Sequence, residues 1–146
     1  QHVYGLSFKI MWPLATERPL RAETNDIWEA LLTALPAGAT VVSSPAHLTR
    51  MSGLSPLGPG RRPSRVFSAG APLVEEAALE AERVLGVRPI EIFGSTETGA
   101  IATRHRKDEP WQLLPGLAMR CGEEGRLKSR SSEGSPGSGR CKLSCG

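Results

Sequence analysis

Apolar positions fall in blocks along this 146-residue chain, and the period within each block changes. Tyr4 to Trp12 is apolar nearly throughout and stops at Pro13, which predicts a buried helix that ends at the proline. Ile27, Leu31 and Ala34 recur at helical spacing and share one face. Asp26 precedes them, with Glu29 in capping-box spacing, and Pro36 and Gly38 follow, so a helix is expected from Ile27 to about Leu35. Thr40 to Val42 is β-branched and reads as a buried strand. Ser55 to Pro63 is rich in Gly and Pro and reads as a surface loop. Arg65 to Ser68 is the next strand. Pro72 then pre-sets the first turn of a helix, with Glu75 and Glu76 at its positive end. Val74, Ala77, Ala81 and Val84 form its inner face, and Gly86 stops it. Pro89 to Phe93 is a further strand. Strand, helix, strand at this spacing predicts a βαβ unit with parallel pairing, hence an α/β fold. Leu117 to Cys121 and Arg126 to Arg130 read as a later β-hairpin. No internal repeat is visible.

Composition narrows the function classes. Hydrophobic residues make up 39% and the formal net charge is +3, so most of the chain can support a core and no strong field is expected. A chain of this length is one domain's worth and buries roughly 70% of its unfolded surface. No apolar run approaches the ~18 residues of a membrane span. No leader with a cleavage site is visible, so a cytoplasmic protein is expected. Cys121, Cys141 and Cys145 lack the partners of a zinc site and are expected as reduced thiols. Arg61, Arg62 and Arg65 form a basic patch without interleaved aromatics, so nucleic acid is not an expected partner. Arg104 to Lys107, with His105, reads as a solvated loop. Trp12, Trp28 and Trp111 read as packing residues rather than substrate gates.

Two strand ends carry the candidate chemistry. Val66-Phe67 breaks into Ser68-Ala69-Gly70-Ala71-Pro72-Leu73 before a helix, and Ile90-Glu91-Ile92-Phe93 breaks into Gly94-Ser95-Thr96-Glu97. Strand ends closing on one place make the nucleotide crevice of open α/β sheets. Gly70 and Ala71 lack the bulk that would keep backbone from a flat base, and equally they suit a tight turn into a helix. Phe93 can be core or a stacking face. Gly94 removes bulk where the chain must turn. Thr96 offers a hydroxyl and Glu97 a hard oxygen ligand, a pairing that suits a phosphate and its Mg²⁺; a solvated turn is the competing reading.

These segments resemble the AMP-forming adenylating enzymes: acyl- and aryl-CoA ligases, peptide-synthetase adenylation domains and luciferases. That family carries a Ser-Gly-Ala-Ala-Pro-Leu-like stretch and, after a helix and strand, Tyr-Gly-x-Thr-Glu. Here they read Ser68 to Leu73 and Phe93 to Glu97. His2-Val3-Tyr4-Gly5-Leu6 is similar to the family's His-x-x-Gly-Leu segment, and Glu124 to Arg130 to its Gly-Glu-Leu-x-x-Arg strand. The resemblance implies a partial βαβ layered sheet over 1–109, the start of a β-rich subdomain over 110–130, and a low-complexity tail over 131–146. It implies that Ser68, Ala69, Gly70, Ala71, Pro72, Phe93, Gly94, Ser95 and Thr96 bind the nucleotide. Thr96 and Glu97 would serve catalysis, with Glu97 on the metal. His2, Tyr4 and Gly5 would line the acyl pocket. ATP, Mg²⁺ and a carboxylic acid are the implied reactants, with coenzyme A or the phosphopantetheine of an acyl carrier protein as thiol acceptor. Phe93 stands where the family has Tyr, which keeps a stacking face and loses a hydroxyl.

The sequence reads as a piece of such an enzyme. It opens at Gln1 with His2 already inside a motif, and it carries neither the family's phosphate loop nor its catalytic Lys. Residues from Glu133 onward are rich in Gly, Ser and Pro; a flexible tail, a truncation and a shifted reading frame would all look this way. By itself the chain is expected to be inactive. A non-catalytic nucleotide-binding or interaction module is the alternative expectation.

Overall fold

A computed structural model describes residues 10–20, 25–121 and 127–131. The expectations for His2, Tyr4, Gly5, Glu124 and the tail lie outside them. The chain is α/β. A five-stranded sheet has the order β1 (Thr40–Ser43), β2 (Arg65–Ala69), β3 (Ile90–Ser95), β4 (Gly99–Arg104) and β5 (Gln112–Leu113). The first three strands run parallel, and β3–β4 and β4–β5 are antiparallel. A separate hairpin joins β6 (Leu117–Cys121) to β7 (Leu127–Ser131), close to the predicted strands.

The helices are α1 (Trp12–Ala15), α2 (Trp28–Ala34), α3 (Pro45–Leu48) and α4 (Glu75–Leu85). α4 forms the crossover between the parallel strands β2 and β3, as the βαβ spacing predicts. Its inner face is Ala77, Ala78, Ala81, Val84 and Leu85, a 3.6-period stripe of small residues and one large one. Gly86 ends it at φ 72°, the left-handed conformation that glycine adopts without steric cost. These residues share one core with Trp28, Leu32, Leu48, Met51, Val41 and Val66. A smaller cluster joins Ala69 and Ile92 to Phe67 and Ala100. Strand alternation separates the two sets, because Val66 and Ala69 point to opposite faces.

Several sequence expectations shift, each for a tertiary reason. Asp26 does not cap α2; the extended Ile27 stands at the N-cap with no side-chain bond. Trp28 stacks on His47 with ring centroids 4.4 Å apart and donates its Nε1–H to the His47 carbonyl. That anchorage turns Trp28, Leu32 and Leu35 inward, whereas Ile27 is exposed. Of the helix expected over Tyr4 to Trp12 only residues 10–12 are described, and there the helical turn continues through Pro13 to Ala15. Ile10, Met11 and Leu14 are exposed. α4 begins at Glu75 rather than Pro72, and Val74 is exposed. β3 runs past Phe93 to Ser95 because Gly94 and Ser95 pair with Ala100 and Gly99. β4 and β5 have no counterpart in the pattern reading.

Candidate functional site

The site grows from the register of two neighbouring strands. β2 and β3 are parallel, with Ser68 beside Glu91 and Ala69 beside Ile92. Their carboxyl ends therefore open at the same edge of the sheet, where such folds bind ligands. From β2 emerges the turn Gly70 to Leu73. Ser68 and Ala69 are buried; Gly70, Ala71 and Pro72 are exposed. Gly70 adopts φ 100°, a conformation side chains rarely take. From β3 emerge Phe93, half-buried, and then a bulge at Phe93/Gly94. The sequence-predicted residues 68–72 and 93–97 thus come from adjacent strand ends.

Thr96 and Glu97 form the exposed tip of the β3–β4 hairpin. The frame of this turn is made by their neighbours. The Ser95 N–H donates to the Thr98 hydroxyl at 3.0 Å, and the Thr98 N–H donates to the Ser95 hydroxyl at 3.3 Å. Ser95 also bonds the Glu97 carboxylate. Together with the Glu97 N–H, that bond holds the carboxyl below the usual carboxylate range. Ser95 therefore shapes the turn in addition to any ligand contact, and Glu97 is an anion at neutral pH. Among the described residues no group of three or more His, Cys, Asp or Glu could hold a metal by itself. A single carboxylate still fits Mg²⁺, which usually takes one or two protein oxygens plus those of substrate phosphates.

The pattern reading missed two residues beneath the site, Glu91 and Arg104, while Trp111 packs as expected. Glu91 is 6% exposed. Its Oε2 accepts the Leu73 N–H at 3.0 Å and its Oε1 accepts from Arg104 Nε at 2.8 Å. Arg104 is not part of a solvated loop; it ends β4, with its guanidinium 4.3 Å from the Trp111 ring centroid. Trp111 packs against Phe93, with ring centroids 5.4 Å apart. One signal was available: a carboxylate flanked by Ile90 and Ile92 in a strand must find partners when buried.

A cavity of about 850 Å³ lies elsewhere, along β1, lined by Trp12, Leu31, Val41, Ser43 and His47 among others. None of residues 68–73 or 93–97 lines it. Burial lowers the His47 pKa, so its ring is neutral at pH 7. Trp28 is core, and Trp12 packs edge-on against Phe67.

No family model matches the chain. A 4-coumarate–CoA ligase of Cereibacter sphaeroides is 29% identical over 119 residues, which is 80% of this chain and 28% of the relative. The solved structure of apo MatB from Rhodopseudomonas palustris has a TM-score of 0.68 at 19% identity, covering 90% of this chain and 28% of that one. A malonyl-CoA ligase solved with methylmalonyl-CoA and AMP has a TM-score of 0.66 at 23% identity, covering 89% and 32%. These two structures establish the fold. The chain spans under a third of the length of each of these proteins. With the turn sequences at Ser68 to Leu73 and Phe93 to Glu97 on adjacent strands of that fold, the chain is similar in sequence and in fold to AMP-forming adenylating enzymes.

Proposed function

We propose that this chain forms the adenine and phosphate side of the active site of an AMP-forming acid–thiol ligase. One observation carries the reading: the turns 68–73 and 93–97 leave neighbouring parallel strands at the same sheet edge. In the complete protein a carboxylate oxygen attacks the α-phosphorus of ATP and pyrophosphate leaves. A thiol then attacks the acyl carbonyl and AMP leaves. The backbone of Gly70 to Pro72 forms one wall for the base, and Phe93 supplies a stacking face. Thr96 gives a hydroxyl to a phosphate oxygen. Glu97 is the residue that would hold Mg²⁺, whose chemistry is to neutralise charge as two anions approach. The rest is positioning and preorganised electrostatics.

The coenzyme A ligases among the relatives support coenzyme A as the acceptor; a carrier-protein pantetheine is the alternative thiol. His2, Tyr4 and Gly5, outside the described residues, are proposed to line the acyl pocket. The identity of the acid belongs to pocket residues beyond these turns. No helix among the described residues is long and apolar enough to cross a membrane.

The test is AMP binding to the purified chain, followed by amide shifts in NMR. Gly70, Ala71, Phe93, Gly94 and Thr96 should move together and saturably. Shifts that avoid both turns, or none at millimolar AMP, would remove the reading.

A further inference from the structure

Glu91 is used by neither the base contact nor the phosphate contact, yet it lies beneath both walls of the base slot. We infer that Glu91 is the positioning residue of the adenine site, acting on both walls at once through its two carboxylate oxygens. The inference rests on the adenine-binding reading given above.

Oε2 accepts the Leu73 N–H, 3.0 Å away. That bond ties the backbone just after the Gly70–Pro72 turn to β3, and α4 begins two residues further on, at Glu75. It therefore sets where the 70–72 backbone stands. Oε1 accepts from Arg104 Nε at 2.8 Å. The Arg104 guanidinium lies over Trp111, and Trp111 rests against Phe93. The second oxygen therefore sets the aromatic wall. Glu91 and Phe93 share one face of β3, and Arg104 faces Glu91 in the β3–β4 register. A carboxylate with 8% of its side chain exposed, beside an Arg with 15% exposed, is a pair that solvent screens weakly. Breaking one member leaves the other buried and uncompensated.

Gln at this position retains an oxygen for Leu73 and loses the charge that holds Arg104. Glu91→Gln should weaken AMP binding by about tenfold, the scale of one charge-assisted bond. It should leave the binding of inorganic pyrophosphate, which lacks a base, within about twofold. Arg104→Lys keeps the charge and removes the flat group over Trp111; AMP affinity should fall by about threefold, with Leu73 amide protection intact.

The experiment measures calorimetric Kd values for AMP and for pyrophosphate with Mg²⁺, and Leu73 amide exchange, on the wild-type chain and both variants. Selective loss of AMP binding supports the inference. Wild-type AMP affinity in Glu91→Gln overturns it while the adenine reading stands. Equal loss of both ligands overturns it in favour of a purely structural role. An absence of AMP binding in the wild-type chain removes the adenine reading and this inference together. If Glu91→Gln does not fold, the ratio of AMP to pyrophosphate affinity in Arg104→Lys decides: an unchanged ratio overturns the inference.

Discussion

Glu97 is exposed at the hairpin tip, yet the Ser95 hydroxyl and its own N–H keep it ionised into acid. Its folded-state pKa is depressed, so the charge is present above the usual carboxylate range and is lost as pH falls through the lowered value. Magnesium-dependent nucleotide binding should therefore not be limited by Glu97 between about pH 5 and pH 8. In a complete protein, Glu97→Gln should lower the adenylation rate by about tenfold to a hundredfold at limiting Mg²⁺ and recover partly at high Mg²⁺. The melting temperature should move by less than about 2 °C, as for surface changes away from packing. Pyrophosphate exchange at two magnesium concentrations, beside a thermal melt, checks both halves. Near-wild-type exchange at limiting Mg²⁺ would make Glu97 an ordinary turn residue.

At the scale of elements, Arg88 ties down both ends of α4. Arg88, just past its C-terminus, bonds Glu75 at 2.6 Å, Glu82 at 3.2 Å and the His105 carbonyl at 3.0 Å. It joins the start of α4, its last turn and the end of β4. Its side chain is 11% exposed, whereas Glu75 and Glu82 are nearly half-exposed. The ion pairs are therefore partly screened, and the larger effect of Arg88→Ala is the loss of three bonds from a nearly buried group. We expect a loss of about 1–3 kcal/mol in urea unfolding with an unchanged m-value. Arg88→Lys should recover less than half, since one ammonium cannot span the three acceptors. By contrast Glu80 only pairs with Arg83 on the exposed face of the same helix, while Arg83 also donates to the Leu54 carbonyl at 2.8 Å, so Glu80→Ala should be nearly silent.

For the whole molecule, the expected behaviour is binding without turnover. The chain spans under a third of the length of its ligase relatives. Adenylation needs charge neutralisation from several sides at once, and on the proposed reading residues 68–73 and 93–97 would supply only part of it. The 146-residue chain should give no ATP–pyrophosphate exchange with any carboxylic acid, while AMP still perturbs the two turns. A radiolabelled exchange assay with malonate, benzoate and 4-coumarate checks this; turnover with any of them would mean that the site is complete without further segments.

The residues that sequence alone identified are those whose local chemistry is decisive. Gly70 and Gly86 stand at positive φ where turns were expected, and Ala77, Ala81 and Val84 line the inner face of α4 by spacing alone. The βαβ order from Arg65 to Phe93 needed no more than a change of period. The site turns were visible because small residues, a hydroxyl and a carboxylate follow two apolar runs. Tertiary structure decided the rest, since non-local partners outweigh local propensity. Trp28 overrode the Asp26 cap because His47, nineteen residues away, takes its ring and its N–H. α4 starts at Glu75 rather than Pro72, with the extended Val74 at its N-cap. Arg104 left the solvated loop because β4 pairs with β3 and lays it beside the Glu91 carboxylate. A spacing in sequence can announce a turn or a stripe. Which buried charge meets which donor depends on strands brought side by side, and that order is set by the packing of the whole sheet.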